Sequence, residues 1–328
     1  MKKILISISL IMALALLLAA CATGRNLAVD DDVTIRLRGL QGPTSMGLAP
    51  LVTDAQAGEE SFEVDFEVTA SPEEIVPLII KGECDFAAVP ANLASTIYNK
   101  TEGGIVVLAI NTLGVLDIVE RGNTVGSLSD LKGKKLYASG EGAVPEYVIR
   151  LLLEKNGLDP DSDVEIEWLS EHSAIVAKLE VEEESTALLP QPFVTIAQKQ
   201  LTDLRLALDL NDDWTELIPE AGLVMGVLIA QKSFVEENEK AVAAFLASYK
   251  ESIDYTNNNP KEASLMIEAL DVFNAAIAEE AIPHCNIHYE DGDSMRDSLS
   301  GFLTLLHGMN PQSVGGELPP ADFYYGAK

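Results

Sequence analysis

AAVPANLASTIY, residues 87–98, returns one hundred positions later as ALLPQPFVTIAQ, residues 187–198, with Pro90 over Pro190. Few letters coincide, but the pattern does: a short apolar run, a proline, then apolar residues at helical spacing. Working outward, the stretches before these segments match in kind as well. In the first copy a strand at 33–37 meets the loop GLQGPTSMGLAP, residues 39–50. Leu48, Leu51, Val52 and Ala55 then mark one face of a helix that Gly58 ends. The alternating run Phe62, Val64, Phe66, Val68 predicts a half-buried strand. Ser71-Pro72-Glu73-Glu74 opens a helix with a cap residue, a proline in the first position and acids in the first turn. That helix runs to about Gly82, the buried strand 86–89 follows, and Pro90-Ala91-Asn92 begins another helix.

The second copy repeats the order. A strand at 135–138 meets the loop SGEGAVPEY, residues 139–147. Val148, Leu151 and Leu152 face one way on a helix that Gly157 ends; Val164, Ile166 and Trp168 alternate; Ser170-Glu171-His172-Ser173 opens a helix. The strand 186–189 then runs into Pro190-Gln191-Pro192. Strands alternating with helices predict an α/β fold with parallel sheets covered on both faces. Apolar segments at 105–111 and 223–230 lie outside the copies, and helical patterns at about 233–257, 260–270 and 294–308 follow. A chain that leaves one lobe, builds a second and returns gives two Rossmann-like lobes joined by two hinge strands. The expected division is 33–112 with 226–328 for lobe 1 and 113–225 for lobe 2. Pro50 conflicts with a continuous first helix, since proline removes an internal hydrogen bond. Either the helix starts late, near Leu48, or it starts near Thr44 and bends at Pro50; the bend is the favoured expectation.

The ends and the composition set the surroundings. Met1-Lys2-Lys3 is a basic head, residues 4–20 are an almost unbroken apolar run, and Leu18-Ala19-Ala20-Cys21 closes it. This is a secretory signal, expected over 1–20, rather than a lasting membrane span. Residues 21–32 read as a tether. Fifty-two acidic residues stand against 22 Lys and Arg, which excludes a nucleic-acid footprint. No later segment is apolar enough, for long enough, to cross a bilayer. Cys84 and Cys285 could pair in an oxidising location, but two buried free thiols are the favoured reading.

In parallel α/β sheets, ligands gather where strands end and helices begin, against unsatisfied backbone N–H groups. Those ends are Gly42, Pro43, Thr44, Ser45 and Met46, with Ser71, Ala91 and Asn92, in the first copy. In the second they are Ser139, Gly140, Glu141, Gly142, Glu171, His172 and Gln191. Asn111 and Met225 fall at the two crossings. Residues 42–47 lack the lysine of a phosphate loop and do not fit G-x-G-x-x-G or G-x-S-x-G. A base for Ser45 or Ser139 would have to be His172, with no orienting acid evident. His172 itself is a polar residue on a first helical turn or a ligand contact. His284-Cys285-Asn286-Ile287-His288 reads as an extended run of packing and surface residues rather than a metal site. No catalytic residue, metal or cofactor is expected.

Several of these stretches together resemble a known family. The L-A-A-C ending is similar to a bacterial lipobox. G-P-T-S follows the first strand, then D-F-A-A-V-P-A-N-L-A, N-T-L-G at 111–114, S-L-S-D-L-K-G-K-K-L-Y-A-S-G-E-G at 127–142 and L-L-P-Q-P-F-V at 188–194. The chain resembles the solute-binding lipoproteins of ABC importers, in the subgroup that binds nitrate, sulfonates, taurine and thiamine precursors. The resemblance implies a type 2 periplasmic-binding fold that closes on its ligand as a hinged clamp. It also implies acylation of Cys21, an ABC permease as partner, a monomer, and the loops named above as the pocket. No arginine falls on those loops, whereas Glu141 and Glu171 do. That favours a neutral, zwitterionic or amine-bearing organic ligand over an anion such as a sulfonate.

Overall fold

The computed structural model describes residues 33–69 and 71–328. The expected signal segment, Cys21 and the tether lie outside the described residues. From the first described residue the chain forms β1 (Thr34–Leu40), α1 (Pro43–Met46), α2 (Ala49–Gln56), β2 (Glu63–Thr69), α3 (Pro72–Ile80), β3 (Phe86–Pro90), α4 (Ala91–Lys100) and β4 (Ile105–Thr112). It then crosses to β5 (Leu116–Arg121), β6 (Lys135–Ser139), α5 (Val144–Lys155), β7 (Glu165–Leu169), α6 (His172–Val181), β8 (Ser185–Pro190), α7 (Phe193–Gln200), β9 (Leu204–Asp209) and α8 (Leu210–Leu217). It returns through β10 (Gly226–Gln231), α9 (Lys232–Glu237), α10 (Glu239–Asn258), α11 (Pro260–Ala269), α12 (Ala275–Ala281), β11 (Ile287–Glu290) and α13 (Gly292–Met309). Short 3-10 turns at Pro311–Val314 and Ala321–Phe323 complete it.

The strands make two sheets, in the orders β11-β4-β10-β3-β1-β2 and β7-β6-β8-β5-β9. Without β11 and read from β2, the first becomes β2-β1-β3-β10-β4, which is the order of the second, element for element. The repeat in the sequence is therefore a repeat in topology, and the fold is α/β with two lobes. The sheets are mixed, not parallel as expected. β10 runs antiparallel to β3 and β4, and β5 antiparallel to β8 and β9. The reason is the crossing. β5 and β10 are each the first strand after the chain changes sheet. Each starts at the edge where its neighbours end: Leu116 pairs with Pro190, and Gly226 with Pro90 and Thr112. A strand that begins at the carboxyl edge can only run back.

The first helix also differs from expectation. It does not bend at Pro50; it breaks into α1 and α2 at Gly47-Leu48, and Pro50 sits in the first turn of α2. There its missing N–H costs nothing. The cause of the break is crowding. A Cβ on Gly47 would lie 2.7 Å from the Ile253 side chain and 2.9 Å from that of Ile287, so the chain passes α10 and β11 closely and turns. The long helix expected near 233–257 is likewise two helices, parted at Asn238, whose φ of −130° and ψ of 41° are not helical.

All eight residues of β4 are buried, as a strand covered on both faces requires. The cores of the two sheets meet. Trp214 on α8 packs edge-on against Phe302 on α13, with ring centroids 5.8 Å apart, and its indole N–H donates to the Ala221 carbonyl at 2.7 Å. The indole is 1% exposed. Burying a ring of this size contributes roughly 2–3 kcal/mol, and the N–H pairing removes the cost of burying its polar end. Cys84 and Cys285 are both buried and unpaired.

Candidate functional site

Only residues 113–115 separate the end of β4 from the start of β5, so the carboxyl edges of both sheets meet at the crossing. Met225 N–H donates to the Thr112 carbonyl at 3.0 Å, and Leu113 N–H to the Asn286 carbonyl at 3.1 Å. The Asn286 side chain also donates to the Gly114 carbonyl. Gly114 is required by space: a Cβ there would lie 2.6 Å from Asn211 Oδ1 and 2.7 Å from Leu223 Cδ2.

On the first sheet, the loop after β1 depends on Gly42, whose φ of +117° favours glycine. Ser45 is fully buried and its hydroxyl accepts the Leu40 N–H at 2.9 Å, folding the loop back onto β1. Met46 is fully buried in the core. Thr44 is held by its carbonyl, which accepts from Asn111 Nδ2 at 3.2 Å. Asn111 is 1% exposed, and its Oδ1 accepts from Thr112 Oγ1 at 3.0 Å. Ala91 is buried and its N–H donates to the Met225 carbonyl at 3.1 Å. Asn92 turns to the carbonyl of Ser313, at 3.1 Å. Of the expected contact residues here, Gly42, Pro43 and Thr44 form the loop; Ser45, Met46, Ala91 and Asn111 support it from behind.

On the second sheet the expected residues converge. Ser139 Oγ and His172 Nδ1 are 2.6 Å apart. The imidazole lies against Phe193, with ring centroids at 4.6 Å. Ser139, Gly140, Glu171 and His172 line one open depression of about 420 Å³ with Ser170, Ser173 and Phe193. Burial holds the His172 pKa below its ordinary value, so the ring is neutral near pH 7. Gly140 and Gly142 have φ of +86° and +76°. The Gly142 N–H donates to Glu146 Oε2 at 2.6 Å, and its carbonyl accepts from the Tyr147 hydroxyl at 3.2 Å. Glu141 and Glu171 are exposed.

Gln191 is elsewhere in role. It is 3% exposed, its Nε2 donates to Asp117 Oδ2 at 3.2 Å, and its Oε1 accepts from Thr195 Oγ1 at 2.9 Å. Its N–H donates to the Val115 carbonyl at 2.8 Å. Its polar atoms thus clip α7 to the crossing. The partner, Asp117, is 5% exposed and has its pKa pushed up to about 8, first by burial and then by Asp209.

Phe193, Asp117, Asp209 and Tyr147 were not singled out by sequence reasoning. Phe193 stands directly after the Pro-Gln-Pro turn, a readable signal, whereas Asp117 lies in the run LDIVER, which carries none of its own.

The depression offers neutral donors and acceptors and the Glu171 carboxylate beside an aromatic face, with no Lys or Arg among its lining residues. Ser139 and His172 make a hydroxyl–imidazole pair, but among the described residues no carboxylate hydrogen-bonds the ring to orient it, as a hydrolytic triad needs. Among the described residues no group of three or more His, Cys, Asp or Glu could hold a metal ion, and no helix is long and apolar enough to cross a membrane.

Comparison with known proteins adds four findings. The sequence profile of the family described as NMT1/THI5 like matches residues 58–263, more than half of the chain. A Brucella abortus protein named as a binding protein is 24% identical over 307 residues, covering 91% of this chain and 92% of its own. The crystal structure of an ABC transporter from Parabacteroides distasonis superposes with a TM-score of 0.74 at 25% identity, over 89% of this chain and 99% of that one. The periplasmic aliphatic sulphonate binding protein of Escherichia coli superposes with a TM-score of 0.68 over 87% and 96%. At 14% identity, that last likeness is one of fold.

Proposed function

The chain belongs to the NMT1/THI5-like family, and from that membership we propose that it is an extracytoplasmic solute-binding protein that delivers a small organic molecule to an ABC-type importer. The observation that carries the reading is the repeated strand order, which brings the carboxyl edges of both sheets to one crossing. Such an edge is where α/β sheets take ligands. Residues 33–112 with 226–328 act as one jaw, and residues 113–225 as the other. The grip comes from Gly42 to Thr44 on the first jaw and from Ser139 to Gly142, Glu171, His172 and Phe193 on the second. The ligand is neutral, zwitterionic or amine-bearing, because no Lys or Arg lines the second jaw's depression while Glu171 does. Residues 1–20 serve as a signal and Cys21 carries the acyl anchor, so that a monomer is tethered at the membrane by lipid alone.

The Ser139–His172 distance of 2.6 Å favours one second reading, a hydrolase on the same scaffold. One experiment separates the two. The protein is melted against a metabolite panel of anions, zwitterions and amines, and every compound that raises Tm is recovered after long incubation and weighed by mass spectrometry. Capture predicts an uncharged or amine-bearing compound recovered unchanged. A recovered compound cleaved by wild type but intact with Ser139→Ala establishes the hydrolase instead. No rise in Tm with any compound contradicts capture.

A further inference from the structure

Beyond the crossing, the Trp214–Phe302 packing and the exposed Lys199–Glu280 ion pair, the two jaws are joined by a hydrogen bond that leads directly into the Ser139–Gly142 loop. Tyr147 stands in the first turn of α5, with its ring in the core and 8% of its surface exposed. Its hydroxyl donates to the Gly142 carbonyl at 3.2 Å and accepts from Asn310 Nδ2 at 2.9 Å. Asn310 follows α13, on the other jaw. Its Oδ1 accepts the Gln312 N–H at 3.0 Å and so caps the turn Pro311–Val314. That turn is bound in its own right to α4: Asn92 Nδ2 donates to the Ser313 carbonyl at 3.1 Å, and Ser95 Oγ to the Val314 carbonyl at 2.7 Å. A continuous path of hydrogen bonds therefore runs from Gly142 through Tyr147, Asn310 and the 311–314 turn to Asn92.

The Gly142 end of this path is under tight control. Its φ is +76°, its N–H goes to Glu146 and its carbonyl to Tyr147, both on α5. Glu146 is in turn fixed by Arg150, at 2.7 Å, and Arg150 by Asp161, at 2.8 Å. The loop thus moves with α5, and the Tyr147 hydroxyl bonds α5 to the other jaw. A hydroxyl that both donates and accepts is worth more than either bond alone, since each polarises the other.

We propose that Tyr147 and Asn310 form the latch of the clamp: the Tyr147 hydroxyl is a positioning residue that sets the Ser139–Gly142 loop and holds the jaws together, and opening breaks its bond to Asn310. The proposal rests on the solute-binding reading, and it deepens that reading by naming what couples the Ser139–Gly142 loop to the other jaw.

The test uses no ligand, so its failure leaves solute capture standing, and a failure to find a solute leaves the latch standing. Spin labels are placed on the acylated full chain in detergent by Gln56→Cys and Lys155→Cys. These are exposed positions at the far ends of α2 and α5, while Cys84 and Cys285 are buried. The distance distribution is measured by double electron–electron resonance for wild type, Tyr147→Phe, Asn310→Ser and the double variant. Asn310→Ser keeps an oxygen to cap the 311–314 turn and removes only the Nδ2 donor, so it remains informative if Tyr147→Phe folds poorly. The expected result is a shift of population to longer distances in each single variant, with no further shift in the double variant. Single-variant distributions that superimpose on wild type would overturn the proposal. So would a wild type already populating the long distance, or additive shifts in the double variant.

Discussion

Asp117 and Asp209 stand opposite one another on β5 and β9, register partners at the edge of the second sheet where β8 and β9 end. They share that place unequally. Asp209 caps α8, its Oδ1 accepting the Asn211 N–H at 2.9 Å. Asp117 is buried, with the Gln191 amide as its hydrogen-bond donor. Two carboxylates this close cannot both ionise cheaply, and the buried one keeps its proton.

This sets a pH dependence of known sign. The folded Asp117 titrates at about 8, against roughly 3.9 for an unfolded chain. The folded state holds the extra proton between those values, so the stability is fully present below about pH 4 and is lost as pH rises through about 8. Asp117→Asn keeps an acceptor for Gln191 and removes the charge. Urea melts at pH 9 are expected to show the variant more stable than wild type by more than about 2 kcal/mol, with the difference shrinking towards pH 5. Equal stability at pH 9 would show that Asp117 ionises without penalty.

His172 gives the opposite slope. Burial lowers its folded pKa, so the folded state binds fewer protons than the unfolded chain as pH falls below about 6.5. Its stability contribution is present above that value and lost on acidification through the folded pKa. Melting temperatures between pH 7 and pH 5 should fall less for His172→Gln than for wild type. Parallel curves would mean that the ring protonates freely beside Ser139 and Phe193.

Gly226 begins the strand that brings the chain back, and its lack of a side chain is a matter of space. A Cβ would lie 2.5 Å from Thr44 Cγ2 and 2.6 Å from Asn111 Oδ1, two residues that shape the first ligand loop. Gly226→Ala should cost about 1–3 kcal/mol as an overpacking change and should displace the 42–44 loop. Gly308, in the last turn of α13, meets nothing within 4 Å. Gly308→Ala should be neutral or stabilising by up to about 1 kcal/mol. Chemical denaturation of the two variants checks both; an unperturbed Gly226→Ala would show that Thr44 and Asn111 yield easily.

Much of this architecture was legible because its signals are local. Glycines, prolines and capping residues mark where β3, α4, β6 and α6 begin, and periodicity marks their buried faces. The strands β5 and β9 were not legible, since LDIVER and LRLALD acquire strand character from antiparallel partners far away in the chain. The break between α1 and α2 is equally non-local, being set by Ile253 and Ile287. In the site, the glycine turns at 42, 140 and 142 could be placed from sequence, and so could His172. That Ser45 and Met46 point into the core could not, and neither could the pairing of Asp117 with Asp209 or of Tyr147 with Asn310, because each depends on which strands and helices become neighbours.

Solute capture itself is tested most directly by native mass spectrometry of the chain isolated from its own cells without denaturation. Capture predicts the protein mass plus one small non-covalent adduct, neutral or amine-bearing, that is lost on unfolding and weakened by His172→Gln. A bare protein mass from cells grown on a rich mixture of solutes, unchanged by the substitution, would contradict it.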